Sequence, residues 1–549
     1  MISFAFGKML NNFTSRNVFA TVGPDMPPTS FWSRNCVTLH VRNVAMWSVV
    51  YLAMSALLFL QGWYETYVFA LAFVGISISI CVGYVVGGGG LALPEEEDGW
   101  RVRVVDAVQL VLMAFLTGGC LYGTGVAGGV ETHPDFECFR NACYHNLIDA
   151  PWPVVLPNGK EMTYYIAGMT VPAMLSRMFS GEDARQWCLL IWSSIPLFLA
   201  LLLLQIRMKK VSWLLVLIAL FFCTPFDREC AVELLKRAHN AMCYYTFGAD
   251  WQLPVMVGRF HASGINAPAL LAVSAPVLVI ALIVTMPGRQ GMLVPFLLAL
   301  LAAISPIGAI SIFPLALFAY IRAFIREGCP MWRYGVWGLF PVLLACCWLV
   351  YFARSQSDVY VGLCALNWRN WPAFWAYYLP SQILFIVLTW HLLKRRKNNA
   401  WIVPMWLVTS LIPVFYIGSR SDENCLLGYN ELWFKGVGAY VLLLAYLVVQ
   451  EWKALPVWVR IGWLLCSILG VYTLCCSYAT YESGRKINDN LNGHLCHDLE
   501  FLNQSCPPTL PPGLPGVLLR KNGESEQLFP GNILPKAPGC DYSRPMLHN

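Results

Sequence analysis

Charge is what this sequence has least of. Asp, Glu, Lys and Arg together make 12% of the chain, about half of what a soluble domain carries. That scarcity excludes a water-soluble globular protein of ordinary composition. No Cys-x-x-Cys or Cys/His spacing of a zinc site occurs among the 20 cysteines. The Gly87–Gly90 run lacks the Lys-Ser/Thr of a phosphate-binding loop and reads as a flexible turn. No internal repeat is evident. The first 42 residues lack the short apolar core and small-residue cleavage site of a secretory leader, so the first apolar span is expected to direct targeting itself.

Apolar residues fill the space that charge leaves. They make 57% of the chain, with mean hydropathy +0.56, and they fall in repeated runs long enough to cross a bilayer. About thirteen spans can be drawn, near 44–62, 65–87, 103–126, 186–206, 211–226, 265–286, 291–309, 311–325, 334–352, 373–393, 401–417, 434–450 and 458–478. Pro306 and Pro314 interrupt the run between 291 and 325. The formal charge of +6 does not point to nucleic acid, because the basic residues sit in short connections between spans. Cys346, Cys347, Cys475 and Cys476 lie inside spans, where Cys behaves as a small apolar residue.

The basic connections also orient the chain. Arg101–Arg103, Arg207–Lys210, Arg289, Arg322–Arg333, Lys394–Lys397 and Lys453 fall on alternate loops, so one topology puts all of them inside. It expects a cytoplasmic N-terminal tail over 1–42, a transmembrane domain over 43–478 and an extracytoplasmic tail over 479–549. The segments 127–185, 227–262, 353–371 and 418–433 are then also outside. The run CPPTLPPGLPG in the tail reads as extended, poorly packed chain. Cys138–Cys143 and Cys496–Cys506 are candidate bridges on the oxidising side. Within the first outer segment, 164–180 reads as an amphipathic helix lying in the membrane interface, with Arg177 on the face away from the apolar one.

Chemistry concentrates in that first outer segment. His133, Asp135, Glu137, Arg140, His145 and Asp149 follow closely on the end of a span. Asp135 and Glu137 are near enough in sequence to share a proton or a divalent cation, Mg or Mn. A half-buried carboxylate can act as general base on an acceptor hydroxyl. Arg140 and Lys160 are suited to hold a departing phosphate. Against this stands the reading that the loop is simply solvated. Other outer groups are Asp227, Arg228 and Glu229 at a span end, read as interfacial caps, and Trp251, Arg259 and His261 before a span. The last group would contact sugar or lipid phosphate, or anchor the span. Trp371, Trp375, Tyr377 and Tyr378 read as an aromatic belt, and Trp390 and His391 as interfacial residues of the inner side.

The run Trp152, Pro153, Val154, Gly159, Tyr164, Tyr165, Pro172 and Ala173 resembles polytopic GT-C-type glycosyltransferases, within them a largely uncharacterised bacterial group, over about 130–195. The resemblance implies an all-α, GT-C-like helical bundle with outer-face loops. It implies sugar transfer from a polyprenyl-phosphate donor, with an acid of the first outer loop at the reaction centre; Asp135 matches that acid and Glu137 stands in reserve. A second likeness is the late loop 419–433, where Asp422 matches an acid; the expected downstream arginine is replaced by Leu426, Leu427 or Gly428, and Arg420, at a different spacing, is the candidate to serve instead. Three spans precede the first outer loop where the superfamily usually has one. The expectation is an enzyme of the cell inner (plasma) membrane acting on an envelope glycan or lipid. The competing class is a lipid-linked glycan transporter or flippase without covalent chemistry. Such a protein should carry ionisable groups at mid-bilayer, and the span interiors hold few. A third class is a membrane scaffold, in which Asp135 would be dispensable.

Overall fold

The computed structural model describes residues 35–89, 99–123, 144, 146–154, 166–179, 181–221, 267–285, 293–327, 331–354, 359–363, 383–395, 402, 415–419, 440, 442–468, 471, 518–521 and 524–527. These are predominantly helical. In chain order they form β1 (Asn35–His40), α1 (Val41–Trp63), α2 (Thr66–Gly89), β2 (Gly99–Arg103), α3 (Val104–Gly123), α4 (Ala167–Ser176), α5 (Glu182–Met208) and α6 (Trp213–Phe221). There follow α7 (Ala267–Thr285), α8 (Val294–Ile304), α9 (Pro306–Glu327), α10 (Met331–Arg354), β3 (Val359–Leu363), α11 (Ile383–Lys394) and β4 (Phe415–Ser419). Helices α12 (Leu442–Glu451) and α13 (Val457–Ile468) and strands β5 (Leu518–Lys521) and β6 (Glu524–Gln527) complete the set. Among the described residues three helical stretches are long and apolar enough to cross a membrane: Val41–Trp63, Val104–Tyr122 and Ala184–Met208.

Two helices form the hub. α1 packs against α2, α4, α5 and α8, and α5 packs against α1, α3, α4 and α7. Leu52, Ala56, Phe59 and Leu60 of α1 and Leu189, Leu201 and Leu203 of α5 are fully or almost fully buried. Short polar devices set the boundaries. The Asp106 carboxylate accepts the Arg103 backbone N–H at 3.1 Å and the guanidinium at 2.9 and 3.1 Å, which closes the N-terminus of α3 as an acid at the third helical position does. At the end of α5, Lys209 takes a left-handed conformation (φ 54°). Gln205 then ties the turn: its Nε2 donates to the Ser212 carbonyl at 3.3 Å and its Oε1 accepts the Ser212 N–H at 2.7 Å. Ser212 Oγ in turn accepts the Leu215 N–H at 3.3 Å and starts α6.

Most expected spans overlap a helix, but several details differ. The break between 291 and 327 lies at Ser305, whose Oγ accepts the Gly308 N–H at 3.1 Å while Pro306 opens α9; Pro at the first helical position leaves no donor unmet. Pro314 sits inside an unbroken α9. Gly87 to Gly89 continue α2 rather than forming a turn. The span expected over 401–417 ends as strand β4, paired antiparallel with β3. The N-terminal tail contributes β1, paired with β2 from Asn35↔Arg103 to His40↔Gly99. The C-terminal tail contributes a hairpin, Lys521↔Glu524 to Leu518↔Gln527, with Asn522-Gly523 between its strands, a dipeptide that favours two-residue hairpin loops.

The stretch read as an interfacial helix is α4. Its first seven residues, Ala167 to Ala173, are all buried, enclosed by α1, α5 and α8. A helix lying on a bilayer surface would keep one face free along its length, and the body of α4 has no such face. Arg177 follows α4 as its C-cap.

Candidate functional site

The residues expected to carry chemistry — Asp135, Glu137, Arg140, His145, Lys160, His261, Arg420 and Asp422 — lie outside the described residues, as do both candidate disulfides. The frame of the first outer segment is described. Residues 146–154 form one post, bounded in sequence by 124–143 and 155–165, which hold Asp135, Glu137 and Arg140 on one side and Lys160 on the other.

The post is fastened at several points. Tyr144 is fully buried; its hydroxyl donates to the Arg185 carbonyl at 2.9 Å and lies 2.8 Å from Ser176 Oγ. Arg177 Nη2 donates to the carbonyls of Leu147 and Ala150 at 3.0 and 2.7 Å. The same guanidinium lies 4.8 Å above the Trp152 ring, within cation–π range. The Trp152 indole N–H donates to the Leu147 carbonyl at 2.9 Å, so that oxygen uses both lone pairs. Asp149 lies 3.6 Å from Arg185 Nη1. The Trp152–Pro153 peptide is cis.

Beneath the post is an aromatic floor. Trp152 contacts Trp63 with ring centroids 5.8 Å apart, and Trp63 stacks on Phe59 at 4.9 Å. Phe59 meets Trp348 and Tyr351 of α10 at 5.4 and 4.6 Å. Tyr64 donates its hydroxyl to the Cys347 carbonyl, and Trp348 Nε1 donates to the Ala299 carbonyl of α8 at 2.8 Å. Gly62 is needed here, because a Cβ on it would lie 2.9 Å from the Trp152 ring. The C-terminal ends of α1 and α10 and the post therefore meet at one end of the bundle.

Sequence reasoning missed Tyr144, Ser176, Arg177 and Arg185 as the fastening of this frame. A helical wheel puts Arg177 away from the apolar face but says nothing of a chain segment thirty residues upstream. The available signal was an arginine next to an otherwise apolar ten-residue helix, which seldom goes without a partner.

A second ionisable cluster joins α11 to α12. Glu451 is nearly buried, with His391 Nε2 at 3.8 Å and Arg395 Nη1 at 3.9 Å from its Oε2. Elsewhere, Arg207 donates to the Thr285 carbonyl at the end of α7, its Nε at 3.1 Å, where a cation meets the negative end of a helix. Among the described residues no three His, Cys, Asp or Glu side chains converge as a metal site needs. The divalent-cation expectation rests on Asp135 and Glu137, outside them.

No family model matches the chain, and no curated protein or solved structure matches it either.

Proposed function

We propose that this chain is an integral membrane glycosyltransferase of the GT-C type, transferring a sugar from a polyprenyl-phosphate donor to an envelope glycan or lipid at the outer face of the cell inner (plasma) membrane. The observation that carries the reading is the post. The described part of the stretch bearing the resemblance is a built platform, tied by Tyr144 and Asp149 to Arg185 of α5, by Trp152 to Trp63 of α1 and by Arg177 to the end of α4, where a slack connection would serve a scaffold equally well. Its support also includes the meeting of the α1 and α10 C-terminal ends with the post, ends that the basic connections assign to one side.

In this reading the acceptor hydroxyl attacks the anomeric carbon. The bond from that carbon to the phosphate oxygen breaks, and the polyprenyl phosphate leaves with the electron pair. Asp135 takes the hydroxyl proton or organises a Mg or Mn ion with Glu137. Arg140, Lys160 and Arg420 hold the phosphate, Asp422 supports them, and His145 and His261 contact the substrates. The test is sugar release from a labelled prenyl-phosphate donor by purified protein in lipid. Asp135→Asn should reduce turnover by roughly 10²–10⁴. Equal rates for wild type and variant sink the assignment. Movement of lipid-linked glycan across the bilayer with no transfer favours the transporter class.

A further inference from the structure

The body of α4 is enclosed, but its last turn is not. Met174, Leu175, Met178 and Phe179 are all exposed, Met178 by 78%. Arg177 lies among them and is itself exposed, yet its guanidinium is turned inward onto the Leu147 and Ala150 carbonyls and the Trp152 ring. Arg185 Nε donates to the Phe179 carbonyl at 3.2 Å while its Nη1 faces Asp149. Among the described residues, both cations beside the turn, Arg177 and Arg185, are thus committed to the protein. What the turn offers outward is a thioether, a ring and aliphatic carbon.

Arg185, which holds the Phe179 carbonyl, lies two residues before the start of an exposed apolar strip on α5 and α3. Trp187 and Ile191 of α5 are exposed, and Trp187 stacks on Tyr122 of α3 at 5.8 Å with the rings 3° from parallel. From Tyr122 the strip runs along α3 through Phe115, Leu112, Val111 and Val108, all exposed. Among the described residues, α3 and α5 are two of the three helices apolar and long enough to cross a membrane. A helix of α3's length spans about 30 Å, the thickness of a bilayer's hydrocarbon core. Tyr122 and Trp187 stand at the end of that strip, as aromatic residues do at the boundary between lipid and water. The Phe179 carbonyl is held by Arg185, two residues before Trp187 on the same helix. A protein partner would be expected to meet a polar rim and outward-facing Arg anchors; here the arginines face in.

We propose that residues 174–179 form a lipid-docking wedge, with Met178 and Phe179 entering the acyl chains of the bilayer leaflet at that end of the bundle. Through Arg177 the wedge also holds the Leu147–Ala150 post at a fixed depth. The wedge rests on the membrane reading and does not depend on the transferase reading.

The test uses the full chain in nanodiscs of phosphatidylcholine and phosphatidylglycerol doped with polyprenyl phosphate. A benzophenone amino acid is placed at position 178, 179, 191 or 210, and adducts are identified by mass spectrometry after illumination. The expected result is phospholipid adducts on the acyl chains at 178 and 179, comparable in yield to 191, and none at 210, where exposed Lys210 follows α5. Adducts at 191 but not at 178 or 179 overturn the wedge. So do protein adducts at 178 and 179, which make the turn a contact with another chain. Adducts at 178 and 179 mainly to the isoprenoid would make it a carrier site and overturn the assignment to bulk lipid. None of these outcomes depends on sugar transfer.

Discussion

α1 and α3 are near twins in composition and opposites in placement. Their most apolar windows have mean hydropathies of 1.8 and 1.9, yet 67% of the α1 window is buried against 28% for α3. α1 buries small residues, Ala45, Ala53 and Ala56, that let neighbouring helices approach closely. Two of its polar side chains are matched inside the bundle: Ser48 Oγ donates to the Val44 carbonyl at 2.8 Å and Tyr51 donates to the Trp192 carbonyl of α5 at 3.2 Å. α3 has two faces. Met113, Thr117, Cys120 and Leu121 are buried, while Val108, Val111, Leu112 and Phe115 stand out at spacings of three and four residues. Hydropathy cannot separate a helix enclosed by protein from one that needs lipid on one side, since both exclude charge.

The comparison breaks most visibly with a charge. Leu52 is fully buried at the centre of α1, so Leu52→Asp places a carboxylate where nothing pairs with it. The expected penalty exceeds about 4 kcal/mol, read as loss of the monodisperse peak in size-exclusion chromatography. Phe115→Asp on the outer face of α3 should still yield folded protein in mild detergent. If both variants collapse alike, the difference in burial between α1 and α3 is not a property of the protein in solution.

Next in size is the loss of the fastening over the end of α1. Arg177→Ala removes two hydrogen bonds from a charged donor and the contact with Trp152. Such bonds contribute about 1.5–3 kcal/mol each, partly offset here by water reaching an exposed residue, so a net loss of about 2–4 kcal/mol is expected. Thermal unfolding in one detergent measures it. Arg177→Lys keeps the charge without the planar fork and should recover only part of the loss. Full recovery by lysine would mean that charge alone matters and the stacked geometry does not.

The same contrast explains what could be read in advance. The spans expected at 44–62, 65–87, 103–126, 186–206, 265–286 and 334–352 coincide with α1, α2, α3, α5, α7 and α10, because long uninterrupted apolar runs leave no other way to satisfy the backbone. What pattern could not supply is which partner each face meets. A helical wheel sets Arg177 apart from an apolar side, whereas the body of α4 is buried all round, Arg177 is its C-cap and the guanidinium turns in to Leu147. The prolines of 291–325 mark a break in the apolar run, but the hydroxyl that starts α9 belongs to Ser305, a residue with no pattern signal of its own. For the site, the sequence named acids and cations outside the described residues; of their frame it offered Asp149, Trp152, Pro153 and Arg177 but not the long-range contacts they make.

A smaller effect tests the floor under the post. Gly62→Ala puts a methyl 2.9 Å from the Trp152 ring, closer than carbon atoms pack. The ring is held by Trp63, Arg177 and its own N–H bond, so it can yield only by loosening them. The expected cost is about 1–3 kcal/mol. Gly119→Ala on α3 is the control, since no atom lies within 4 Å of the added carbon; it should be neutral or slightly stabilising. Equal losses at both positions would mean that α3 is as tightly covered as the end of α1.

The smallest expected effect is the sharpest on the comparison itself. Phe115 is 75% exposed, so Phe115→Ala removes a ring that touches little of the protein. Its unfolding free energy in detergent should change by no more than about 0.5 kcal/mol. Leu52→Ala, which deletes fewer atoms, should lose about 2–5 kcal/mol through the cavity it leaves. That inversion of size and effect is what the burial difference demands. The pair is measured by chemical unfolding of both variants beside wild type in the same micelle. A loss at Phe115 matching that at Leu52 would mean that a second copy or another segment of this chain covers the outer face of α3. The strip running from Val108 to Met178 would then be an interface between proteins instead of a surface for lipid.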